Sequence, residues 1–369
     1  MEWYVHNISR ELVKRGHEVE VVTALNYDGK SAQPHEEFDG ITVKRVKLSL
    51  DWSYRLKLWD GLAETVKEGG YDVIHTYDYA ATHSLVALRV AEKERVRSAL
   101  TVFDVHRMIP RNFYKKWPMK PIETYFAGRT LPASDSILVR APDLIPPLLE
   151  MGADNSRVRV TPSGIRDESM NSYDGRAFRE KYSIDGSPLL LFLGRLNPLK
   201  GPQHLLEAAV PIIAEFPEAA IVLVGPDQVG YKAKLIEKAR VLGISANVHI
   251  VGPIYDLKEK MQAYAACDLF VLPTSYEGTS QAIFEAMSQA KPVVSNRVGG
   301  IPSQITQGVE GLLVGWGDIS ALSVALLTLL RDRPLMAQMG ANARNKASHY
   351  RYSVLAAELE EIYSQIRLR

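Results

Sequence analysis

A chain of 369 residues is long enough for two hydrophobic cores, and its 46% hydrophobic and 24% charged composition is ordinary for a soluble globular protein. A formal net charge of +1 gives no reason to expect nucleic acid or another polyanion as partner, and the single cysteine, Cys267, excludes an intramolecular disulfide and fits a reducing compartment. No apolar run approaches the roughly 18 residues of a membrane span, and Glu2, Arg10, Glu11, Lys14 and Arg15 break up any signal-peptide core, so the expected location is cytoplasmic, with at most peripheral attachment to the inner face of a membrane.

Met1, Val5, Ile8 and Leu12 recur at helical spacing and Gly16 ends the pattern, so the chain opens on a helix. Residues 18–23 and 41–46 read as strands, separated by a polar loop with Gly29, Pro34 and Gly40. A helix over 56–68 leads to a strand at 73–76, and a second over 82–94 leads to a strand at 99–103. A strand at 137–139, a helix over 144–151 and a strand at 158–161 complete the first half. The second half repeats the rhythm with strands at 189–193, 221–224, 248–251, 269–272, 292–295 and 312–314, and with helices such as 204–216 and 231–242. A closing helix over 352–366 carries Leu355, Leu359, Ile362 and Ile366 on one face. Alternating strands and helices predict parallel βαβ units. The expected fold is therefore α/β, with two doubly wound Rossmann-like domains facing across a cleft. The polar stretch 162–175 marks the boundary, giving domains 1–165 and 166–351, with 352–369 packing back on the first.

Three strand-end loops carry the candidate chemistry. After strand 269–272, Pro273 to Thr279 is loop, and Ser280 is placed to cap the following helix. A helix N-terminus beyond a strand's carboxyl end is where anionic ligands bind in open α/β sheets. Glu277 lies in that loop. Glu285 follows on the helix among Ala282, Ile283, Phe284, Ala286 and Met287, a buried carboxylate that needs partners, which ligand hydroxyls would supply. Cys267, just before the strand, reads as buried packing. Gly194, Arg195, Lys200 and Gly201 follow the strand at 189–193, offering a backbone turn, a planar fork for phosphate oxygens and a point charge. Val298, Gly299 and Gly300 form another close-approach loop. Two cations, two carboxylates and these glycines suit a diphosphate joined to a polyhydroxyl ligand.

In this order the motifs GRLNPLKG at 194–201, YEGTSQAIFEAM at 276–287, VGGIP at 298–302 and GLLVGWGD at 311–318, with RVRVTPSGI at 157–165, resemble the retaining glycosyltransferases of the two-Rossmann-domain (GT-B) type, family 4. The resemblance spans nearly the whole chain. It implies transfer of a sugar from a UDP- or GDP-linked donor to a glycan or lipid-linked acceptor with retention of configuration. By the same resemblance Arg195 and Lys200 hold the diphosphate, Glu285 takes the ribose hydroxyls and Glu277 faces the transferred sugar. The backbone after Gly278, through Thr279, Ser280 and Gln281, binds sugar hydroxyls or phosphates, and Gly252 and Ile254 meet the nucleobase. No metal or other cofactor is expected, since the sequence shows no Asp-x-Asp and no spaced His/Cys cluster.

Some features depart from the family pattern. Phe103 stands where the family's Thr-x-His places a histidine, and His106 is the candidate substitute. Ser303 replaces a frequent glutamate, and Thr279-Ser280-Gln281 replaces a commoner Phe-Gly-Leu. Two alternatives stay open: a nucleotide-sugar epimerase of the same fold, and a non-catalytic nucleotide-sugar-binding homologue. Residues 107–120 interleave Arg107, Arg111, Lys115, Lys116 and Lys120 with Met108, Ile109, Phe113, Tyr114 and Trp117. That composition suits an anionic membrane surface or a lipid-linked phosphate, and equally a solvated acceptor loop. Trp52, Tyr54, Arg55, Lys57 and Trp59 form a smaller cluster open to the same reading or to core packing. The resemblance also implies a first strand and a Gly-Gly loop ahead of the opening helix, so the first domain is expected to lack its first strand here, with a natural upstream segment of about 15–30 residues supplying it.

Overall fold

The computed structural model describes residues 2–27, 30–51, 56–105, 119–228 and 230–366. It divides into two compact units, Met1–Pro162 with Tyr352–Arg369, and Ser163–Arg351. His106, the stretch 107–118, Trp52, Tyr54 and Arg55 lie outside the described residues. Among the described residues no helix is long and apolar enough to cross a membrane.

The first unit opens on the helix Glu2–Lys14 and holds two main sheets. In one, β1 (Glu20–Ala24) pairs in parallel with β3 (Ile41–Val46), which pairs antiparallel with β2 (His35–Phe38). The other is wholly parallel, in the order β7 (Val158–Val160), β6 (Ser136–Val139), β5 (Arg97–Val102) and β4 (Val73–Tyr77). Its two central strands are buried along nearly their whole length because helices cover them: Leu100, Val102, Ile137 and Val139 pack against Phe126, Leu131, Leu144 and Leu148. Among the described residues β1 and β4 are both sheet edges. They share one apolar cluster, in which Val22 packs against Val46 and Ile74.

Three sequence expectations need correction here. The loop between the first two predicted strands contains β2, whose residues are all exposed and so carry no apolar alternation. The helix expected over 56–68 starts only at Leu62, after Gly61 at φ 80°, and Lys57–Trp59 instead pairs as a strand with Leu48–Asp51. The helix Met119–Ala133 was not foreseen, because Pro121, Gly128 and Pro132 disguise it.

The closing helix Tyr352–Gln365 docks on the first unit through the face read from the sequence. Tyr352, Leu355, Ala356 and Leu359 pack on Tyr4, Ile8 and Leu12 of the opening helix. Its Tyr363 hydroxyl lies 2.5 Å from Nδ1 of His75 in β4, whose Nε2 lies 2.7 Å from Thr101 Oγ1. Burial first, and then the charge of Arg140, pull the His75 pKa from 6.5 down to about 3. The folded chain thus keeps this imidazole neutral where the unfolded chain protonates it. Stability is then complete above pH 6.5 and falls as pH drops toward 3, by about 1.4 kcal/mol per unit. Urea midpoints at about pH 7 and about pH 4.5 are expected to differ more in the wild type than in His75→Gln. Equal acid losses in both would show that His75 does not titrate this way.

The second unit is one six-stranded parallel sheet, in the order β10 (Val248–Val251), β9 (Ala220–Val224), β8 (Leu189–Leu193), β11 (Leu269–Leu272), β12 (Val293–Asn296) and β13 (Gly311–Val314). Leu189–Phe192, Ala220–Val224 and Leu269–Leu272 are buried throughout, as strands covered on both faces must be.

Candidate active site

The strand order of the second unit reverses between β8 and β11, where successive connections leave toward opposite edges. At such a switch point the loops after the two strands part and leave a crevice beyond their carboxyl ends. The loop after β8 carries Gly194, Arg195 and Lys200, and the loop after β11 carries Glu277, Gly278 and Thr279. They are tied together by backbone: Ser275 N donates to Leu199 O at 2.8 Å, and Thr274 Oγ1 reaches the same carbonyl at 3.1 Å. Gly201, at φ +73°, sits so close that a Cβ would overlap the Pro273 carbonyl. The loop after β12 joins them, with Gly300 N donating to Glu277 O at 3.0 Å. Gly299, at φ +50°, lies against that same carbonyl and leaves no room for a side chain.

This scaffolding brings Lys200 and Glu277, 77 residues apart in sequence, into a direct ion pair. Both side chains are mostly covered, at 16% and 14% exposure. The Arg195 side chain is exposed and makes no hydrogen bond or ion pair among the described residues. The loop therefore presents one uncommitted guanidinium and one ammonium that a ligand anion must win from Glu277.

Glu285 is 3% exposed, and protein groups already hold it. Lys260 Nζ lies 2.6 Å from Oε1, Gln281 Nε2 donates to Oε1 at 3.1 Å, and the Tyr264 hydroxyl donates to Oε2 at 3.1 Å. Burial, reinforced by this carboxylate, drives the Tyr264 phenol far above its ordinary range and keeps it a donor. Lys260 and Tyr264 stand one turn apart on the helix Leu257–Ala266, which Asp256 caps by accepting from Glu259 N at 2.8 Å. The partners that the sequence left to ligand hydroxyls are thus largely supplied from within. One acceptor position on Oε2 remains beyond the Tyr264 bond.

A family model for glycosyl transferases group 1 matches residues 174–346, and a model for glycosyltransferase family 4 matches residues 1–169. The chain belongs to the family 4 glycosyltransferases. It is 34% identical to D-inositol 3-phosphate glycosyltransferase 2 of Catenulispora acidiphila over 58% of this chain and 52% of that protein. It spans only about half the length of that relative. To the D-inositol 3-phosphate glycosyltransferase of Nocardia farcinica it is 27% identical over 99% of this chain and 84% of the relative. Its fold resembles that of the Anabaena protein HepE, solved with UDP, at a TM-score of 0.74 and 21% identity, covering 88% and 87% of the two chains. HepE has also been solved with UDP-glucose.

In this chain the candidate residues fall into three places. Gly194, Arg195, Lys200, Glu277, Gly278 and Thr279 share the switch point. Ser280, Gln281 and Glu285 line the helix Gln281–Ser288, though the Ser280 side chain makes no cap, and the Ser280 amide donates instead to Gln304 Oε1 at 2.8 Å. Gly252 is exposed and Ile254 partly buried in the loop after β10. Phe103, in place of the family histidine, belongs to an aromatic group with Tyr4 and Tyr77 in the first unit. Cys267 is buried, and burial pushes its thiol up to about 12, so it packs rather than reacts. Sequence reading missed Lys260, Tyr264 and Gln304. For the first pair the available signal was their i,i+4 spacing on a helix that leads into β11.

Proposed function

We propose that this chain transfers a sugar, with retention of configuration, from a UDP-linked donor to a glycan or lipid-linked acceptor. The observation that carries the reading is the convergence of Arg195, Lys200 and Glu277 on two adjoining loops at the switch point of the second unit, with Glu285 on the helix that follows. Charge develops on the leaving diphosphate as the glycosidic bond breaks. Arg195 and Lys200 are preorganised to stabilise it, without a metal ion, and Lys200 exchanges its Glu277 partner for phosphate oxygen. Glu277, released, takes the hydroxyls of the sugar. The amides after Gly278 add to the anion site, Glu285 accepts a ribose hydroxyl at its remaining position, and the backbone at Gly252 and Ile254 meets the base. UDP and UDP-glucose in the Anabaena structures support a uridine donor over a guanosine one. The composition of 107–120 supports an acceptor held at a membrane surface.

Incubation with UDP- and GDP-linked sugars in the presence of a chelator tests this. Glycosylated product with unchanged anomeric configuration, seen by NMR, is expected from a UDP-linked donor. An epimerised free sugar, or binding with no turnover across the panel, would replace the reading with one of its two rivals.

A further inference from the structure

We propose that Arg140 is the receptor for an oxyanion on the acceptor, a phosphate monoester or a carboxylate; this rests on the glycosyl-transfer reading and deepens it. Arg140 directly follows β6, at the carboxyl end of the parallel sheet of the first unit. Phe103 and Thr161 follow β5 and β7 at the same end. Ligands of open α/β sheets lie beyond these strand ends.

The Arg140 side chain is 1% exposed and fixed on three sides. Nη1 donates to Thr161 O at 2.6 Å and to Pro162 O at 3.2 Å. The Tyr4 ring lies 3.5 Å from the guanidinium carbon and the Phe103 ring 4.8 Å. Nε and Nη2 remain. They form the edge that grips two oxygens of a carboxylate or phosphate in parallel, and both are buried with no partner among the described residues.

A guanidinium keeps its charge at any physiological pH, so it cannot relieve its burial by losing a proton. Aromatic faces offset part of that cost, but proteins rarely leave such a cation without an anion. Among the described residues no carboxylate pairs with it. Asp143, three residues along, does not, although its own Oδ1 is also buried without a partner. Thr161 Oγ1 is buried and unpartnered too, beside the carbonyl that Arg140 holds, and it adds a neutral donor. A charged edge held in place by carbonyls and rings at a strand terminus is built for two ligand oxygens. Phe103 then has its own part: where the family pattern has histidine, it supports the Arg140 plane.

The test titrates the protein, saturated with UDP so that the donor loops are occupied, with inorganic phosphate and separately with acetate. The ¹⁵Nε resonance of Arg140 and the heat of binding are followed together. A saturable shift of that resonance is expected, with affinity reduced about tenfold or more in Arg140→Gln and less in Arg140→Lys. Transfer assays with a polyol, its phosphomonoester and the same phosphoester carrying a lipid tail then identify the source of the anion. The wild type is expected to prefer one of the two phosphorylated acceptors, and folded Arg140→Gln to lose that preference. An Arg140 resonance unmoved by either anion overturns the proposal, as does undiminished phosphate binding or acceptor preference in Arg140→Gln. Should Arg140→Gln not fold, the wild-type resonance decides alone. Failure of UDP itself to bind counts against the donor reading, while the Arg140 resonance still reports on its own site.

Discussion

Glu285→Ala is expected to lower the stability of the Ser163–Arg351 unit by about 3 kcal/mol, the largest loss for any residue of the candidate site. The carboxylate accepts from Lys260, Gln281 and Tyr264, and alanine orphans all three. Tyr264 is wholly buried and has no water to turn to, so its hydroxyl bears a full desolvation penalty. Lys260 is 21% exposed and recovers part of its hydration, which holds the total at the lower end for a broken buried pair. Glu285→Gln, which keeps the volume and one acceptor oxygen, is expected to cost about half as much. Urea midpoints measured by circular dichroism, with UDP affinity by calorimetry, separate the structural from the ligand-binding share. A Glu285→Ala protein within about 0.5 kcal/mol of wild type would mean that these contacts contribute nothing net.

The second large effect is functional and comes from the Lys200–Glu277 pair. Because phosphate must displace Glu277 from Lys200, the two substitutions are expected to move nucleotide affinity in opposite directions. Lys200→Ala removes a charge-assisted contact and leaves Glu277 to repel the diphosphate, weakening UDP binding by about 2–3 kcal/mol. Glu277→Gln removes the competitor and is expected to tighten binding of bare UDP by a few fold. Turnover with the sugar donor should nonetheless fall by about 10²–10³. In the double variant the gain from removing Glu277 is larger than in the wild type, because no lysine screens its charge, giving a coupling of about 1 kcal/mol. Calorimetry with UDP on the four proteins measures the cycle. If Glu277→Gln weakens UDP as much as Lys200→Ala does, the pair is not in competition with phosphate.

Much of the second unit was legible in the chain because its information is local. The strands at 189–193 and 269–272 fall where the sequence placed them, since a parallel strand covered on both faces must be an unbroken apolar run with turn chemistry at its end. The glycines, cations and carboxylates of the strand-end loops were legible for the same reason: a tight turn and a charged loop show in consecutive residues. The family followed from the order of those loops.

Elements whose residues carry no pattern of their own were not legible. The strand His35–Phe38 is fully exposed and exists only because Ile41–Val46 offers it hydrogen bonds, and the helix Met119–Ala133 overrides its own prolines and glycine through the burial of Phe126, Ala127 and Leu131. The ion pairing of the site was hidden as well. Lys200 meets Glu277 across 77 residues, and Glu285 meets Lys260 and Tyr264 across 25 and 21. Sequence chemistry determined that these residues had to find partners, because a buried charge is costly alone. Which partners they found, and that Arg140 found none for its outer edge among the described residues, was decided only when the sheets had packed, since contacts between distant segments are set by the placement of whole elements and leave no trace in local spacing.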